Sequence, residues 1–436
     1  MGLSDLISNR NRKRLFESSV RSFIPRYTYV PFSDSTDSLG NTSLSSGDEV
    51  KEGQTIAISR GFSTEGANMH SSTPGKIDSI GTCTMPNGKI GNVVKIMTEG
   101  SFSYLGKSLK KSDWHSMSKN ILLDTFKTKG VANSFDLEDV PLSTQIHECT
   151  LSTNRFLAVR MYDEDPSRVT DTFVAEKFSN EVIEGSLIIA KAFEARGIVF
   201  AVSKKSHVSA DEFENINLPS IVVSVDSDDY PQGFRQNIID AVKKASRNLE
   251  NSEFNGINSQ CLFIDPETAL SAYEAVVFGV PVMERFVHVG GDCLNSVAMF
   301  KTRIGTPVSF LVEQCGGFKM KPQKIIINGI NVGNSISTCD VPVTKSLKSV
   351  SFIPQSQISI QSVVPCIRCG KCRNVCPEKL LPDLYYKAIM ENLHLSQEIR
   401  ETTKLCIHCN LCNSVCPSRL SLSQAAMLLC GKDDKK

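Results

Sequence analysis

No apolar run in this 436-residue chain approaches the ~18–20 residues that a helix needs to cross a bilayer. The basic stretch Met1–Arg14 has no apolar core behind it, so a secretory leader is not expected. Charge of one sign is also missing. The formal net charge is +1, which argues against a global polyanion-binding surface and so against nucleic acid as a partner. These absences predict a cytoplasmic protein with no transmembrane segment of its own, able to dock on a membrane complex. The composition, 40% hydrophobic and 22% charged, is that of soluble globular proteins. At about 100–150 residues per domain, the length predicts three or four domains.

Cysteine is not lacking. Eight of the 15 fall into two runs of one pattern, C-x2-C-x2-C-x3-C-P: Cys366, Cys369, Cys372 and Cys376 before Pro377, then Cys406, Cys409, Cys412 and Cys416 before Pro417. This spacing holds cubane clusters in two-cluster ferredoxins, where the fourth cysteine of each run reaches across to the other cluster. The expected ligand sets are therefore Cys366, Cys369, Cys372 and Cys416 for one 4Fe–4S cluster, and Cys406, Cys409, Cys412 and Cys376 for the other. Zinc sites also use C-x2-C pairs, but as two pairs and not as two runs of four ending in proline. Disulfides do not suit a reducing cytosol. The other seven cysteines (Cys83, Cys149, Cys261, Cys293, Cys315, Cys339, Cys430) share no ligand spacing and are expected to be small buried hydrophobes.

Residues 1–24 read as a polar arm or short helix, and 33–47, crowded with Ser, Thr, Asp, Asn and Gly, as loop. Gly47–Ala57 and Ser72–Ile77 alternate turns with short strands, and Asn87-Gly88 marks another turn, so small all-β packing is expected over about 25–105. From about 120 to 280, strands alternate with helices. Phe156–Arg160, Ile198–Val202, Ile221–Val225 and Cys261–Ile264 are the expected strands. A helix is expected over 172–195, ended by Gly197, and another over about 232–247. Asp265-Pro266-Glu267 reads as cap, first-turn proline and acidic first turn of a helix closed by Gly279. Such alternation predicts a parallel sheet with helices on its faces, whose ligands sit at the carboxyl ends of the strands. Residues 281–345 revert to β with one short helix, and Gln355–Ser362 reads as a polar linker. Leu380, Leu381, Leu384, Ala388 and Leu393 predict a helix between the cysteine runs, with Pro382 near its start, and Lys432–Lys436 a polar tail.

The stretches GDEVKEGQTIA (47–57) and SSTPGKIDSIG (71–81) resemble the barrel-sandwich fold of biotinyl and lipoyl domains. Those carriers present a modifiable lysine at a hairpin tip. Here the corresponding Gly66-Ala67-Asn68-Met69-His70 has none, which predicts a structural or docking barrel with His70 in a turn or partly buried.

Taken together, GDEVKEGQ, YPQG (230–233), YEAVVFGVPVMER (273–285), RIGTPVSFLVEQCGGF (303–318), DVPVTK (340–345) and CIRCGKCRNVCPEKLLP (366–382) resemble RnfC, the peripheral subunit of the membrane ferredoxin–NAD oxidoreductase. The resemblance runs from about residue 25 to 425. It implies a multidomain α+β and α/β architecture: an arm (1–24), a barrel-sandwich hybrid domain (25–110), an α/β domain like the complex I flavoprotein subunit (115–280), an SLBB-type β-grasp module (281–350), a linker (351–362) and a helical two-cluster ferredoxin-type domain (363–430). It also implies peripheral attachment, through partner subunits, to the cytoplasmic face of an inner membrane, with ferredoxin or flavodoxin as redox partner.

One departure counts against FMN and NAD(H) as cofactors. The family's α/β domain carries a glycine-rich loop of the form G-x-G-G-A-G-F-P-T and then N-G-A-E-C-E-P. Only residues without a Cβ let backbone N–H groups approach a phosphate that closely. Here the first stretch is Gly130–Pro141, which keeps only Gly130 and has gained Asp136, Glu138 and Asp139. The second is Arg160–Pro166, with Asp163 and Asp165 at the positions of the family's two glutamates, expected as a solvated turn.

Three readings of function remain. The first is an iron–sulfur electron-transfer subunit with its nucleotide site altered or lost and no acid–base chemistry of its own. Beside its ligands, Arg368, Lys371 and His408 would raise the local positive potential or dock an acidic carrier, or would be plain solvated loop residues. The second is a structural or assembly subunit stapled by its clusters. The third is an intact NADH-linked flavin and iron–sulfur reductase, in which the resemblance includes a cobalamin reductase.

Overall fold

The computed structural model describes residues 19–430 apart from 33–41, 59–66, 152–153, 215, 228–229, 248–252 and 359–361. Most of the expected arm, part of the 33–47 loop, Gly66 and the 432–436 tail lie outside the described residues. The chain divides into two compact units, residues 1–329 with 334–355 and residues 330–333 with 356–436.

Within the first unit, Tyr27–Pro31, Ile90–Thr98, Gly75–Thr84 and Glu49–Val50 form a four-stranded antiparallel sheet in that order, beside the pair Thr55–Ile58 and Asn68–His70. The long hairpin turns at Asn87-Gly88, where Gly88 takes the φ of +81° that a side chain would resist. Inward residues Val30, Val50, Ile56, Ile77, Val94 and Ile96 close a small core. His70 is not in a turn. It ends a strand, buried, with Nε2 2.9 Å from the Thr128 carbonyl.

The α/β portion is built on four parallel strands in the order Ser220–Val225, Gly197–Ser203, Phe156–Arg160, Leu262–Ile264. Val159, Ile198, Phe200 and Ile264 face a large core with the helices Thr170–Lys177, Ser179–Phe193 and Pro266–Val277. Ala158, Val199, Val223 and Phe263 face the other layer, packed by the helix Arg235–Ser246. The expected helix over 172–195 is two, broken at Phe178. It ends at Phe193, capped by Glu194 in the left-handed region, and Gly197 starts the next strand instead of stopping the helix. Asp265 caps its helix as expected, accepting from Thr268 N–H at 2.7 Å, with Pro266 at the first position.

A six-stranded mixed sheet follows, in the order Val20–Arg21, Ala298–Arg303, Glu284–Gly290, Ser349–Ile353, Lys324–Ile327, Asn334–Ile336. Val308–Gln314 is the one helix here and shares a core with it through Val308, Leu311, Val287 and Val350. Two boundaries differ from expectation. The end of the arm pairs as an edge strand, and Ser349–Ile353, which runs past residue 350 into the expected linker, is a central strand.

The second unit repeats itself at an offset of 40 residues. Helices Pro382–Met390 and Leu422–Cys430 hold equivalent places and share a core through Leu380, Tyr385, Ala388, Ala425, Ala426 and Leu429. Each follows one cysteine run.

Gly185 sets the spacing of two helices in the first unit, because a Cβ there would stand 2.0 Å from the Ala269 carbonyl oxygen. Gly→Ala inside a helix ordinarily gains about 1 kcal/mol. Gly185→Ala is expected to lose about 1–3 kcal/mol instead, the cost of overpacking. The denaturant midpoint measures this, and a midpoint that rises would show the contact to be soft.

Candidate functional site

The two cysteine runs fold alike. Arg368 and His408 take φ of +55° and +53°, and Gly370 and Asn410 take +74° and +59°. The short helices Lys371–Val375 and Leu411–Ser414 follow. Lys379 and Arg419 mark the exits with φ of +54° and +56°. The left-handed residues reverse the chain between ligand positions, and three cysteines of each run line a common hollow. Glycine or asparagine at 370 and 410 tolerates that backbone well.

Two hollows result. One, of about 400 Å³ including its open mouth, is lined by Cys376, Cys406, Cys409 and Cys412 with Leu380, Tyr385, Leu422 and Ala426. The other, of about 340 Å³, is lined by Cys366, Cys369, Cys372 and Cys416 with Asp383, Leu420 and Leu422. Each thus brings three cysteines of one run together with the fourth of the other. Among the described residues, no three His, Cys, Asp or Glu side chains converge as the ligands of one ion would. The thiols are instead spread around the two walls.

The donor sets fit iron–sulfur clusters, which are held by four thiolates and tuned by hydrogen bonds to sulfur. Arg368 N–H donates to Cys366 Sγ and Leu380 N–H to Cys376 Sγ, both at 3.4 Å. Burial pushes the Cys409 thiol up to about 11 and the Cys412 thiol up to about 12, with neighbouring thiols adding to both. Such thiols would lose their protons to solvent only beside a strong local positive charge, which a bound metal would supply. His408 is a half-buried neighbour of sulfur, with Nδ1 3.6 Å from Cys406 Sγ, and burial lowers its pKa. Of the other cysteines, Cys261, Cys293 and Cys315 are buried, while Cys83, Cys149, Cys339 and Cys430 are half-buried.

The stretches expected around a nucleotide meet elsewhere, in the first unit. In the parallel sheet the strand order reverses between Phe156–Arg160 and Leu262–Ile264, and the carboxyl ends at such a point frame a ligand crevice. Here that place is occupied by side chains. Asn133 donates to the Phe263 carbonyl at 2.7 Å, and Ser134 Oγ to Asp265 at 2.6 Å. Arg160 lies 4.1 Å over the Phe135 ring and donates to the Gly233 carbonyl at 2.8 Å. Lys348 Nζ reaches Asp171 and Asp265, each at 2.7 Å. Arg168 sits 3.6–3.7 Å from Asp163, Glu164 and Asp171. Arg285 bridges Ser134 and Glu267 at 2.7 and 2.8 Å.

Asp163 and Asp165 are therefore not a solvated turn. Both are buried. Asp163 accepts from the N–H groups of Asp171 and Thr172, satisfying orphan donors at the start of helix Thr170–Lys177. Asp165 accepts from Ser167 N–H and Oγ. Among the three acids gained in the first stretch, Asp136 is exposed and pairs with Arg235. Sequence reading missed Arg160, Arg168, Asp171, Arg285 and Lys348. The one signal available was the density of charge over 160–171.

Burial works against charge on Asp265, yet Lys348 and Arg285 overcome it and hold the carboxyl well below the usual range. Glu267 goes the other way, raised by burial to about 7 despite Arg285.

Comparison with known proteins bears on both halves of the chain. Residues 365–421 match the family described as 4Fe-4S dicluster domain, and residues 10–101 the family described as RnfC barrel sandwich hybrid domain. In Clostridium ljungdahlii, the component designated C of the proton-translocating ferredoxin:NAD(+) oxidoreductase complex is 24% identical over 386 residues, covering 88% of this chain and 82% of that relative. Over most of its length the chain is similar to RnfC. In Yersinia pestis, the component designated C of the ion-translocating oxidoreductase complex is 25% identical, covering 83% of this chain and 58% of its own. Its Vibrio cholerae counterpart is also 25% identical, with 87% and 49% covered. The chain thus spans about half the length of these two relatives. A solved NAD+-reducing nickel–iron hydrogenase is similar over 74% of this chain and 55% of its own, with 10% identity and a TM-score of 0.44. No helix among the described residues is long and apolar enough to cross a membrane.

The buried ions are open to two measurements. Lys348→Met leaves Asp171 and Asp265 without their shared cation, so a loss of about 3–5 kcal/mol is expected in chemical denaturation. The second concerns Glu267, raised in the folded state from an ordinary 4.5 to about 7. Its stabilising contribution is complete below the unfolded value and is lost as pH rises through about 7. Thermal midpoints of Glu267→Gln relative to wild type should therefore climb from about pH 5 to pH 8; a flat difference would contradict a proton on this carboxyl.

Proposed function

We propose that this chain is the iron–sulfur electron-transfer subunit of an Rnf-type, ion-translocating oxidoreductase, carrying two 4Fe–4S clusters. One observation carries the reading: each of two hollows is lined by three cysteines of one run and the fourth of the other. Cys366, Cys369, Cys372 and Cys416 are the proposed ligands of one cluster, and Cys406, Cys409, Cys412 and Cys376 of the other. The dicluster family match over residues 365–421 supports it.

Bound cubanes supply one-electron chemistry. The chain's own residues contribute the rest. The apolar walls of Leu380, Leu420, Leu422 and Ala426 exclude water from the sulfurs, and backbone N–H groups stabilise negative charge on them. Catalysis at substrate level belongs to cofactors and subunits elsewhere in the complex, to which this chain attaches peripherally at the cytoplasmic face, and ferredoxin or flavodoxin is the soluble redox partner. In the first unit, the ionic assembly of Arg160, Arg168, Lys348, Asp171 and Asp265 replaces a flavin and pyridine-nucleotide site. The mixed sheet crossed by helix Val308–Gln314 supports an SLBB-type, β-grasp reading of its module.

Anaerobically prepared protein is expected to hold about eight irons and eight sulfides per chain, and to be reduced reversibly by reduced ferredoxin. No flavin absorbance and no bleaching by NADH are expected. Cys376→Ser should cost the second cluster and leave the first, seen as about half the iron and one lost EPR signal. About one zinc per C-x2-C pair in place of iron would sink the proposal. Clusters that no physiological carrier reduces would favour a purely structural role.

A further inference from the structure

The surroundings of the two hollows differ. Around the hollow of Cys366, Cys369, Cys372 and Cys416, the first two cysteines are exposed, Cys416 is half-buried and Cys372 buried, whereas around the other Cys409 is buried and the rest half-buried. Beside the exposed pair, Val363, Val364 and Ile367 are 60%, 45% and 65% exposed. The charged groups in that wall are Arg368, Lys371 and Asp383. Asp383 is already neutralised, since both its oxygens accept from Arg373 at 2.6 and 2.8 Å. Arg368 and Lys371 are exposed and, among the described residues, make no ion pair. The wall of the hollow of Cys376, Cys406, Cys409 and Cys412 contains a single charged residue, the acidic Glu378.

From this asymmetry we infer that Val363, Val364, Ile367, Arg368 and Lys371 form the docking face for a small acidic one-electron carrier protein, with the exposed Cys366 and Cys369 as the point of exchange. The inference rests on the iron–sulfur reading above. An apolar centre with a charged rim is the anatomy of a transient protein interface, and uncompensated cations steer an acidic partner toward it. A negatively charged lipid surface would satisfy the same cations. A carrier protein is favoured because the exposed cysteines lie within the same patch, and close approach to them serves only a partner that exchanges electrons. One electron crosses per encounter: the carrier is oxidised by one and the cluster behind the patch reduced by one, or the reverse.

The test uses the full, anaerobically loaded chain and an acidic two-cluster ferredoxin as probe, with affinity measured by surface plasmon resonance at low and high salt. Iron, sulfide and midpoint potentials are determined on every sample. Wild type should bind more weakly as salt rises. The pair Arg368→Glu with Lys371→Glu should lose at least about tenfold in affinity at low salt, which is the scale on which steering charges act. Ile367→Ser should weaken binding at both salts. Reversal of the exposed Lys243 and Lys244, on helix Arg235–Ser246, should change nothing. The inference is overturned if a fully loaded double variant binds as wild type does, if the control reversal costs as much, if only midpoint potentials move, or if anionic phosphatidylserine vesicles bind in a charge-dependent way and ferredoxin does not. Wild type that holds zinc or no iron overturns the underlying reading instead, and the metal assay distinguishes the two failures.

Discussion

Lys348 and its two carboxylates constrain the first unit more than any other contact. The ammonium group is fully buried, and so are Asp171 and Asp265. Three ions removed from water each incur several kcal/mol of desolvation, which only close geometry and further hydrogen bonds offset. The geometry here is close, and the partners are far apart in sequence. Lys348 precedes a central strand of the mixed sheet, Asp171 lies in the first turn of Thr170–Lys177, and Asp265 caps Pro266–Val277. A shift of any of the three strands or helices would strand a charge. The interaction therefore fixes how the mixed sheet and the parallel sheet are joined, whatever its net contribution to stability.

That constraint has a chemical consequence. The reversal point of a parallel sheet is where strand ends leave room for a ligand. In this chain Arg160 fills the room from one strand end and Asp265 from the other, with Ser134 and Phe135 laid across. A phosphate-binding loop keeps its backbone N–H groups uncovered by having glycine there. Asn133, Ser134 and Phe135 instead carry side chains that bond or stack with the sheet, and six acidic side chains (Asp163, Glu164, Asp165, Asp171, Asp265, Glu267) belong to the hydrogen-bond and ion-pair network beside it. The loss of glycine and the gain of buried charge are two aspects of one rebuilding.

What the sequence reveals follows from the range over which each constraint acts. A cluster ligand is read by spacing, since three thiols within seven residues can reach one face of a cube only with fixed gaps. The repeat 40 residues on is legible for the same reason. Three of the parallel strands are legible because burial on both faces makes each a continuous apolar run, and the edge strand Ser220–Val225, exposed on one face, is still rich in β-branched residues. The ionic core is not legible. Asp163 beside Asp165 looks like a polar turn until Thr172, Arg168 and the distant Lys348 are placed around it. Ser349–Ile353 reads as the edge of a linker because serines alternate with its apolar residues, though Val350 and Phe352 face a core. The helix break at Phe178 has no proline or glycine to announce it, and the left-handed cap at Glu194 uses a residue that seldom takes that role.

The repeat in the second unit bears on how electrons would move through it. In the proposed ligand sets Cys376 and Cys416 are exchanged, so neither half of the repeat completes a site alone. The helices that follow, Pro382–Met390 and Leu422–Cys430, share one core, and Leu422 lines both hollows. Backbone geometry is nearly the same in both halves, so it cannot distinguish them. The side chains do. The first half places isoleucine, arginine and lysine in solvent at 367, 368 and 371. At the corresponding positions the second half has half-buried Ile407, His408 and Leu411, and Asn410 bonds to the Asn331 carbonyl. Two sites of like geometry, one with two exposed cysteines and a cationic rim and one with buried or half-buried cysteines and a mostly apolar lining, would be inequivalent stations for charge: burial disfavours added negative charge, and nearby cations favour it. Any difference in potential between the two proposed sites would then come from the side chains around the ligands, with His408 beside Cys406 in one half and Arg368 and Lys371 in the wall of the other.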